Sequence, residues 1–310
     1  MPFAADMKIS PRLVAVLQAL LVTLLWSLSW VLIKIGLVDI PPLTFAGLRY
    51  VLAFLCLLPI AWRRGEIVNL RRISPAGWGM LVVLGLVYYT ATQGGQFFTL
   101  VYLPAANFSM LLNFTVVIVA VLGIFFLGER VTGGQWAGLA VFLGGVLLFF
   151  YQQILPAGQR DELVVGYVAA GVTVIANALA ALLGRAANRG RTLSPLAVTT
   201  VSMGVGSIVL LLIGLLVEPF PHLTINNWLL ILWLAVVHTA FTFTLWNVTL
   251  RTLSASESAI INNTMLIQIA LLAWIFLGES LSWQQVIGML LAALGIFAFQ
   301  WWSGQQRLSQ

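Results

Sequence analysis

The sequence predicts an all-α polytopic membrane protein, with ten transmembrane helices arranged as two inverted five-helix repeats and both termini cytoplasmic. Three observations carry that expectation. The chain is 61% hydrophobic and 8% charged, whereas a soluble domain carries about 25% charged residues. Apolar runs recur along its whole length, each close to the roughly 20 residues that a helix needs to cross a bilayer. The stretch "FLGER" at 126–130 also returns as "FLGES" at 276–280. The composition argues against a soluble protein with a large apolar core.

The spans are expected near 13–36, 43–62, 76–98, 104–127, 134–152, 164–184, 195–217, 227–249, 255–277 and 283–302. The first lacks a small-residue cleavage site behind it, so it reads as a retained span and not as a signal peptide. "DIPPLT" separates the first two, because Pro41 and Pro42 cannot continue a helix. "RRGEIVNLRRISP" separates the second from the third. "QQILPAGQRDE" marks the middle and divides a first repeat, 1–152, from a second, 153–310. "RTLSP" and "EPFPH" flank the seventh span, and no linker is long enough for an additional domain.

The net charge of +6 is distributed by side. With the N-terminus inside, Lys8, Arg12, Arg63, Arg64, Arg71, Arg72, Arg130, Arg185, Arg189, Arg191, Arg251 and Arg307 fall on the inner segments, and Arg160 alone on the outer ones. That asymmetry follows the positive-inside rule and implies a multi-pass membrane protein with no nucleic-acid partner. The single cysteine, Cys56, excludes an intrachain disulfide and a cysteine metal cluster. No metal or cofactor is expected.

Shifting the chain by 150 residues explains the doubled ending. Thr99 meets Thr249, Ala105 meets Ala255, and Asn113 meets Asn263. Gly128 and Glu129 meet Gly278 and Glu279; Gln135, Gly138 and Gly145 meet Gln285, Gly288 and Gly295. Apolar composition alone does not align Asn, Gly, Glu and Gln without a gap, so this is an internal repeat. Five spans per repeat is an odd number, so the second copy enters the membrane the other way round. Inverted repeats are a recurrent architecture of secondary transporters. Locally, Gly128 and Gly278 suit the left-handed residue that ends a helix. Glu129 and Glu279 are then expected beside the N-terminus of the next helix.

Four stretches carry a family resemblance. They are "TLLWSLSWVLIKIGL" (23–37), "PPLTFAGLRYVLA" (41–53), and the hairpins "LGERVTGGQWAGLAVFLGGV" and "LGESLSWQQVIGMLLAALGI". With ten spans in two inverted repeats, the chain resembles the drug/metabolite transporter superfamily in its bacterial EamA-type branch. The resemblance extends over essentially the whole chain. It implies an exporter or facilitator of small metabolites, gradient-linked in some members. Ser27 departs from the glycine often found after the tryptophan in that family, which bears on the shape of the site.

Polar side chains at membrane depth usually face protein or a water-filled cavity. Depth estimated at about 1.5 Å per residue sets Trp26, Tyr88, Tyr89, Thr92, Asn113, Asn177, His238, Thr239, Thr242 and Asn263 near one level. Trp30 and Trp246 are further candidates for apolar walls. The repeat mates Asn113 and Asn263 are expected to reach a substrate from opposite sides, with interhelical bonding as the alternative. His238 is the only histidine within a span and the candidate proton carrier, with a neutral interhelical bridge as its other reading. Lys34 is expected to snorkel outward. Arg49 is expected to have a structural or gating role, partnered by helix-end carbonyls or by a substrate carboxylate. The small residues at 134 and 138, and at 288 and 292, allow close helix approach, either between repeats or in a dimer.

No Asp or Glu lies mid-span. That favours neutral or zwitterionic metabolites such as amino acids, moved by alternating access through a central cavity, with proton coupling and facilitated or exchange transport as the two modes. Export of drugs and cationic compounds is the alternative. An intramembrane enzyme would need a nucleophile–base pair or clustered acids, and a channel would need a filter or rings of charge; neither is visible. The expected partners are a small-molecule substrate and the lipid bilayer, with the chain a monomer or homodimer.

Overall fold

The computed structural model describes residues 10–66, 73–127, 132–151, 160–189, 193–253 and 255–308. Among these the secondary structure is entirely helical, and ten helices are long and apolar enough to cross a membrane. Spans 1 to 10 are Pro11–Gly36, Pro42–Arg63, Pro75–Tyr102, Ala105–Leu127, Gly133–Phe150, Arg160–Arg189, Pro195–Val217, Ile225–Thr249, Ala255–Leu277 and Trp283–Leu308. Span 6 runs longer than the apolar run alone implies. Its first turn holds Asp161 and Glu162, which the positive end of the helix dipole favours. Gly128 and Glu129 lie outside the described residues.

Short connections make successive spans antiparallel, so the bundle has two ends. One carries Arg12, Arg63, Arg64, Arg185 and Arg251 and is called here the basic end. The other carries Asp39, Asp161, Glu162, Glu218 and Glu279 and is called the acidic end.

Local chemistry sets most helix starts. Ser10, Ser74, Ser194 and Thr224 each accept a backbone N–H from the first turn that follows them. Thr132 and Gln135 form a reciprocal capping box, and Ser282 and Gln285 form the same one 150 residues later. Spans 2 and 4 differ, because Pro41 and Pro104 stand at their N-caps and provide no side-chain bond.

Spans 5 and 10 cross through glycine. A Cβ added at Gly138 would lie 2.6 Å from Phe299 N, and one at Gly288 would lie 2.6 Å from Phe149 N. The small-residue faces therefore form a contact between the two repeats within one chain. Spans 2 and 7 also cross closely, with a Cβ at Gly214 falling 2.6 Å from Thr44 N.

Spans 3 and 8 share a departure from regular helix. Residues Leu86–Gln93 and Val236–Phe241 are π-helical, and the two segments begin 150 residues apart. A π turn inserts an extra residue and widens the backbone, a feature frequent at functional sites. Thr92 Oγ1 donates back five residues to Val87 O at 2.9 Å, and Thr239 Oγ1 to Leu234 O at 2.9 Å. These bonds satisfy carbonyls that the widened turns misalign. Span 4 breaks at Asn113, between the helices Ala105–Leu112 and Phe114–Leu127, whereas span 9 is continuous.

Candidate functional site

The polar residues at membrane depth fall into three groups around the widened turns. The first is built on spans 1, 8 and 9. Trp26 Nε1 donates to Thr242 Oγ1 at 2.9 Å, and its ring lies 5.6 Å from Phe243 and 5.4 Å from Trp246. One residue on, Ser27 Oγ donates to Gln268 Oε1 at 3.0 Å. The Gln268 amide then donates to Thr264 Oγ1 at 3.0 Å and to Thr23 Oγ1 at 3.3 Å. Ser27 thus holds span 1 to span 9. Trp26, Phe243, Trp246, Thr264 and Gln268 are half-buried.

The second group is fully enclosed, between spans 2, 3 and 8. Arg49 is 3% exposed. Its Nε donates to Thr239 Oγ1 at 3.0 Å and its Nη2 to His238 O at 3.3 Å. The guanidinium lies over the rings of Tyr50 and Phe97, 5.2 and 5.8 Å from their centroids. The partners of this buried cation are therefore a π-turn hydroxyl and carbonyl and two ring faces. Tyr50 donates to Gln93 Oε1 at 2.7 Å, and Tyr89 packs on both Tyr50 and Tyr88.

His238 is fully buried, and its Nδ1 lies 2.5 Å from Leu25 O in span 1. A carbonyl can only accept, so Nδ1 carries the proton. Its Nε2 is buried with no hydrogen-bond partner among the described residues. In this conformation His238 bridges spans 1 and 8.

The third group links spans 4 and 6. Asn177 Nδ2 donates to Thr115 Oγ1 at 3.1 Å. Asn113 Nδ2 donates to Ser109 O at 2.7 Å and so serves a carbonyl of its own broken helix. Its repeat mate Asn263 turns elsewhere and donates to Gln300 Oε1 of span 10 at 2.8 Å. The two asparagines therefore do not converge in this state. Trp30 is also absent from any open face, because it is 4% exposed and packs on Phe108 in the core. Thr92 is buried and bonded to its own helix.

The two ends of the bundle close differently. The first half of span 4 packs on both span 9 and span 6, whereas its second half keeps its close approach to span 6 alone of the two. Beyond Asn113 span 4 leans on span 6 and draws away from span 9, so spans 4 and 9 part toward the basic end. At the acidic end they are joined. Glu279 accepts from Ala105 N at 2.8 Å and Ala106 N at 3.2 Å, and Glu218 accepts from Leu43 N and Thr44 N at 2.8 Å each. Each carboxylate bonds a helix start from the other repeat. This corrects the expected role of Glu279, since the next helix is capped by Ser282 and the glutamate serves span 4 instead. Gly278 has φ 67°, the left-handed conformation expected of it. Lys34 does not snorkel; its Nζ donates to Leu103 O, the last carbonyl region of span 3, at 3.0 Å.

Sequence reasoning missed Glu218, Tyr50, Gln93 and Gln268. The last two carried a usable signal, being amides inside apolar runs. Glu218 carried little, since it reads as an ordinary charge at a span end.

Comparison with known proteins places the chain among transporters. Residues 13–151 and 164–300 each match the EamA-like transporter family. A Bacillus subtilis (strain 168) protein described as uncharacterized transporter YoaV is 26% identical over 283 residues, covering 89% of this chain and 93% of that protein. A probable amino-acid metabolite efflux pump of Salmonella typhimurium is 26% identical over 294 residues, covering 90% and 92%. One of the same description from Escherichia coli (strain K12) is 33% identical over 132 residues, covering 42% and 40%. A solved structure titled "Crystal structure of protein" superimposes with TM-score 0.66 at 19% identity, covering 92% of this chain and 97% of that one, and shares the fold.

Proposed function

The chain belongs to the EamA-like transporter family, and on that premise we propose that it is a secondary transporter exporting small metabolites such as amino acids. It works by alternating access across the bacterial inner membrane, with the basic end facing the cytoplasm as the positive-inside rule requires. One observation carries the reading. Spans 4 and 9 part toward the basic end while glutamates join the repeats at the acidic end. That is the asymmetry of a carrier open to one side. The half-buried Trp26, Phe243, Trp246, Asn177 and Gln268 offer a solute flat apolar faces and amides, without a carboxylate. Such chemistry suits neutral and zwitterionic solutes. Two relatives named for amino-acid metabolite efflux support the same class.

A second reading rests on the same aromatic trio, whose ring faces also attract a cationic compound. Proton coupling through His238 requires Nε2 to meet water elsewhere in the cycle, so the coupling ion is part of the test.

The experiment is efflux of radiolabelled amino acids from proteoliposomes, with and without a pH gradient. Wild type is compared with Trp26→Ala and His238→Ala. Efflux that Trp26→Ala abolishes is the expected result, and gradient dependence lost in His238→Ala assigns the proton to it. Movement of a cationic dye without any amino-acid efflux would sink the metabolite reading.

A further inference from the structure

Spans 2 and 7 occupy matching places in the two repeats. Pro42-Leu43-Thr44 opens one and Pro195-Leu196-Ala197 the other. Glu66 follows Pro42 by 24 residues, and Glu218 follows Pro195 by 23. The same parts therefore stand at opposite ends of the bundle. At the acidic end Glu218 holds Leu43 N and Thr44 N. At the basic end a cavity of ≈ 340 Å³ lies between the two spans, lined by Phe54, Ala61 and Glu66 on one side and Ala197, Thr200 and Gly204 on the other. Thr200 is 4% exposed, and its Oγ1 has no partner among the described residues.

Helix starts explain why one end is joined and the other is not. The first amides of a helix have no partner within it. Pro41 has no side-chain oxygen, so span 2 needs an acceptor from elsewhere, and Glu218 supplies it. Ser194 caps span 7 itself, accepting from Ala197 N at 3.2 Å.

We infer that Glu66 is the second position of a two-position latch of which Glu218 is the first. In the opposite state Glu218 releases Leu43 and Thr44, and Glu66 takes the amides of Leu196 and Ala197. The cavity then closes on Glu66, with the Thr200 hydroxyl as a third donor. Ser194 competes with Glu66 for Ala197 N, and Pro41 offers Glu218 no competitor. The latch is thereby biased toward the state closed at the acidic end. The Glu279 bonds to Ala105 and Ala106 are the same device on spans 4 and 9.

The latch takes its meaning from the alternating-access reading, but its test needs no substrate. In a Cys56→Ser background, spin labels at Val38→Cys and Phe220→Cys report the acidic end, and labels at Arg64→Cys and Pro195→Cys the basic end. Distances are read by pulsed electron resonance on the full chain in liposomes. Glu218→Gln is expected to lengthen the acidic-end distance by about 5 Å, one helical turn, and to shorten the basic-end one. Pro41→Ser, which gives span 2 its own cap and removes no carboxylate, is expected to move both distances the same way. Ser194→Ala is expected to shorten the basic-end distance, which loss of a merely structural cap would not do. Adding Glu66→Gln is expected to abolish every basic-end shortening and leave the acidic-end lengthening. Unchanged distances in Glu218→Gln and Pro41→Ser, or basic-end shortening that survives Glu66→Gln, would overturn the latch. Switching distances without efflux of any solute would sink the transport reading alone; efflux without switching would sink the latch alone.

Discussion

The acidic and basic ends of this bundle are built from repeated parts, and they behave oppositely. At the acidic end two helices start behind proline, and a glutamate from the other repeat completes each one. At the basic end span 7 starts behind serine and completes itself, and a cavity stands where the corresponding glutamate lines the wall. The residue just before the helix separates the two ends, because it decides whether the first amides need an acceptor from another element. A similar contrast runs deeper in the same spans. Arg49 of span 2 reaches across to span 8, whereas Ser202, at the matching depth of span 7, donates to Val198 O of its own helix.

Removing the acidic-end carboxylates is the strongest way to break the contrast. Glu218→Ala with Glu279→Ala leaves two pairs of amides without acceptors and is expected to cost about 4 kcal/mol in all, at roughly 1 kcal/mol for each of the bonds lost. Thermal melting in detergent reads it. The basic-end pair Glu66→Ala and Glu257→Ala is the control, at about 1 kcal/mol or less, since the Arg12–Glu257 ion pair is exposed. Equal losses at both ends would remove the distinction. Arg49→Met is expected to cost about 2 kcal/mol, because it takes two donors from the span 8 turn. Chemical denaturation in mixed micelles measures it, and Ser202→Ala beside it is expected to be nearly neutral.

Lys34→Met frees the Leu103 carbonyl and is expected to cost about 1 kcal/mol. Arg12→Met at the other end is expected to cost less, and its effect should vanish in high salt, where an exposed pair is screened. Melting at two ionic strengths separates them. Gln268→Leu removes two interhelical bonds, to Ser27 and Thr23, and is expected to cost about 1 kcal/mol, at roughly 0.6 kcal/mol for each bond within the membrane. Its larger effect is expected on efflux, because Gln268 sets the distance between spans 1 and 9. A variant with normal efflux would show that this level of the bundle does not handle the solute.

Much of the fold is legible in the chain. Proline pairs, serine caps and apolar runs set the spans, and the register of Asn113 with Asn263 and Gln135 with Gln285 exposes the repeat. The capping boxes at Thr132 and Ser282 followed that register faithfully, because a cap is satisfied within four residues. The asparagine mates did not. Asn113 serves its own broken helix and Asn263 serves span 10, since the partner of a buried amide depends on which neighbour is near. Glu279 was legible as a cap but not as a cap for a helix 174 residues away.

The sequence by itself determined what is local or periodic: ten membrane spans, two repeats, the helix ends and the family they resemble. Hydropathy, backbone sterics and short-range hydrogen bonding fix these without reference to the rest of the chain. Only the tertiary structure decided which amides Glu218 and Glu279 serve, that Arg49 completes a widened turn of span 8, and which end of the bundle is parted. These follow from how helices distant in sequence meet, which no local or periodic pattern in the chain specifies.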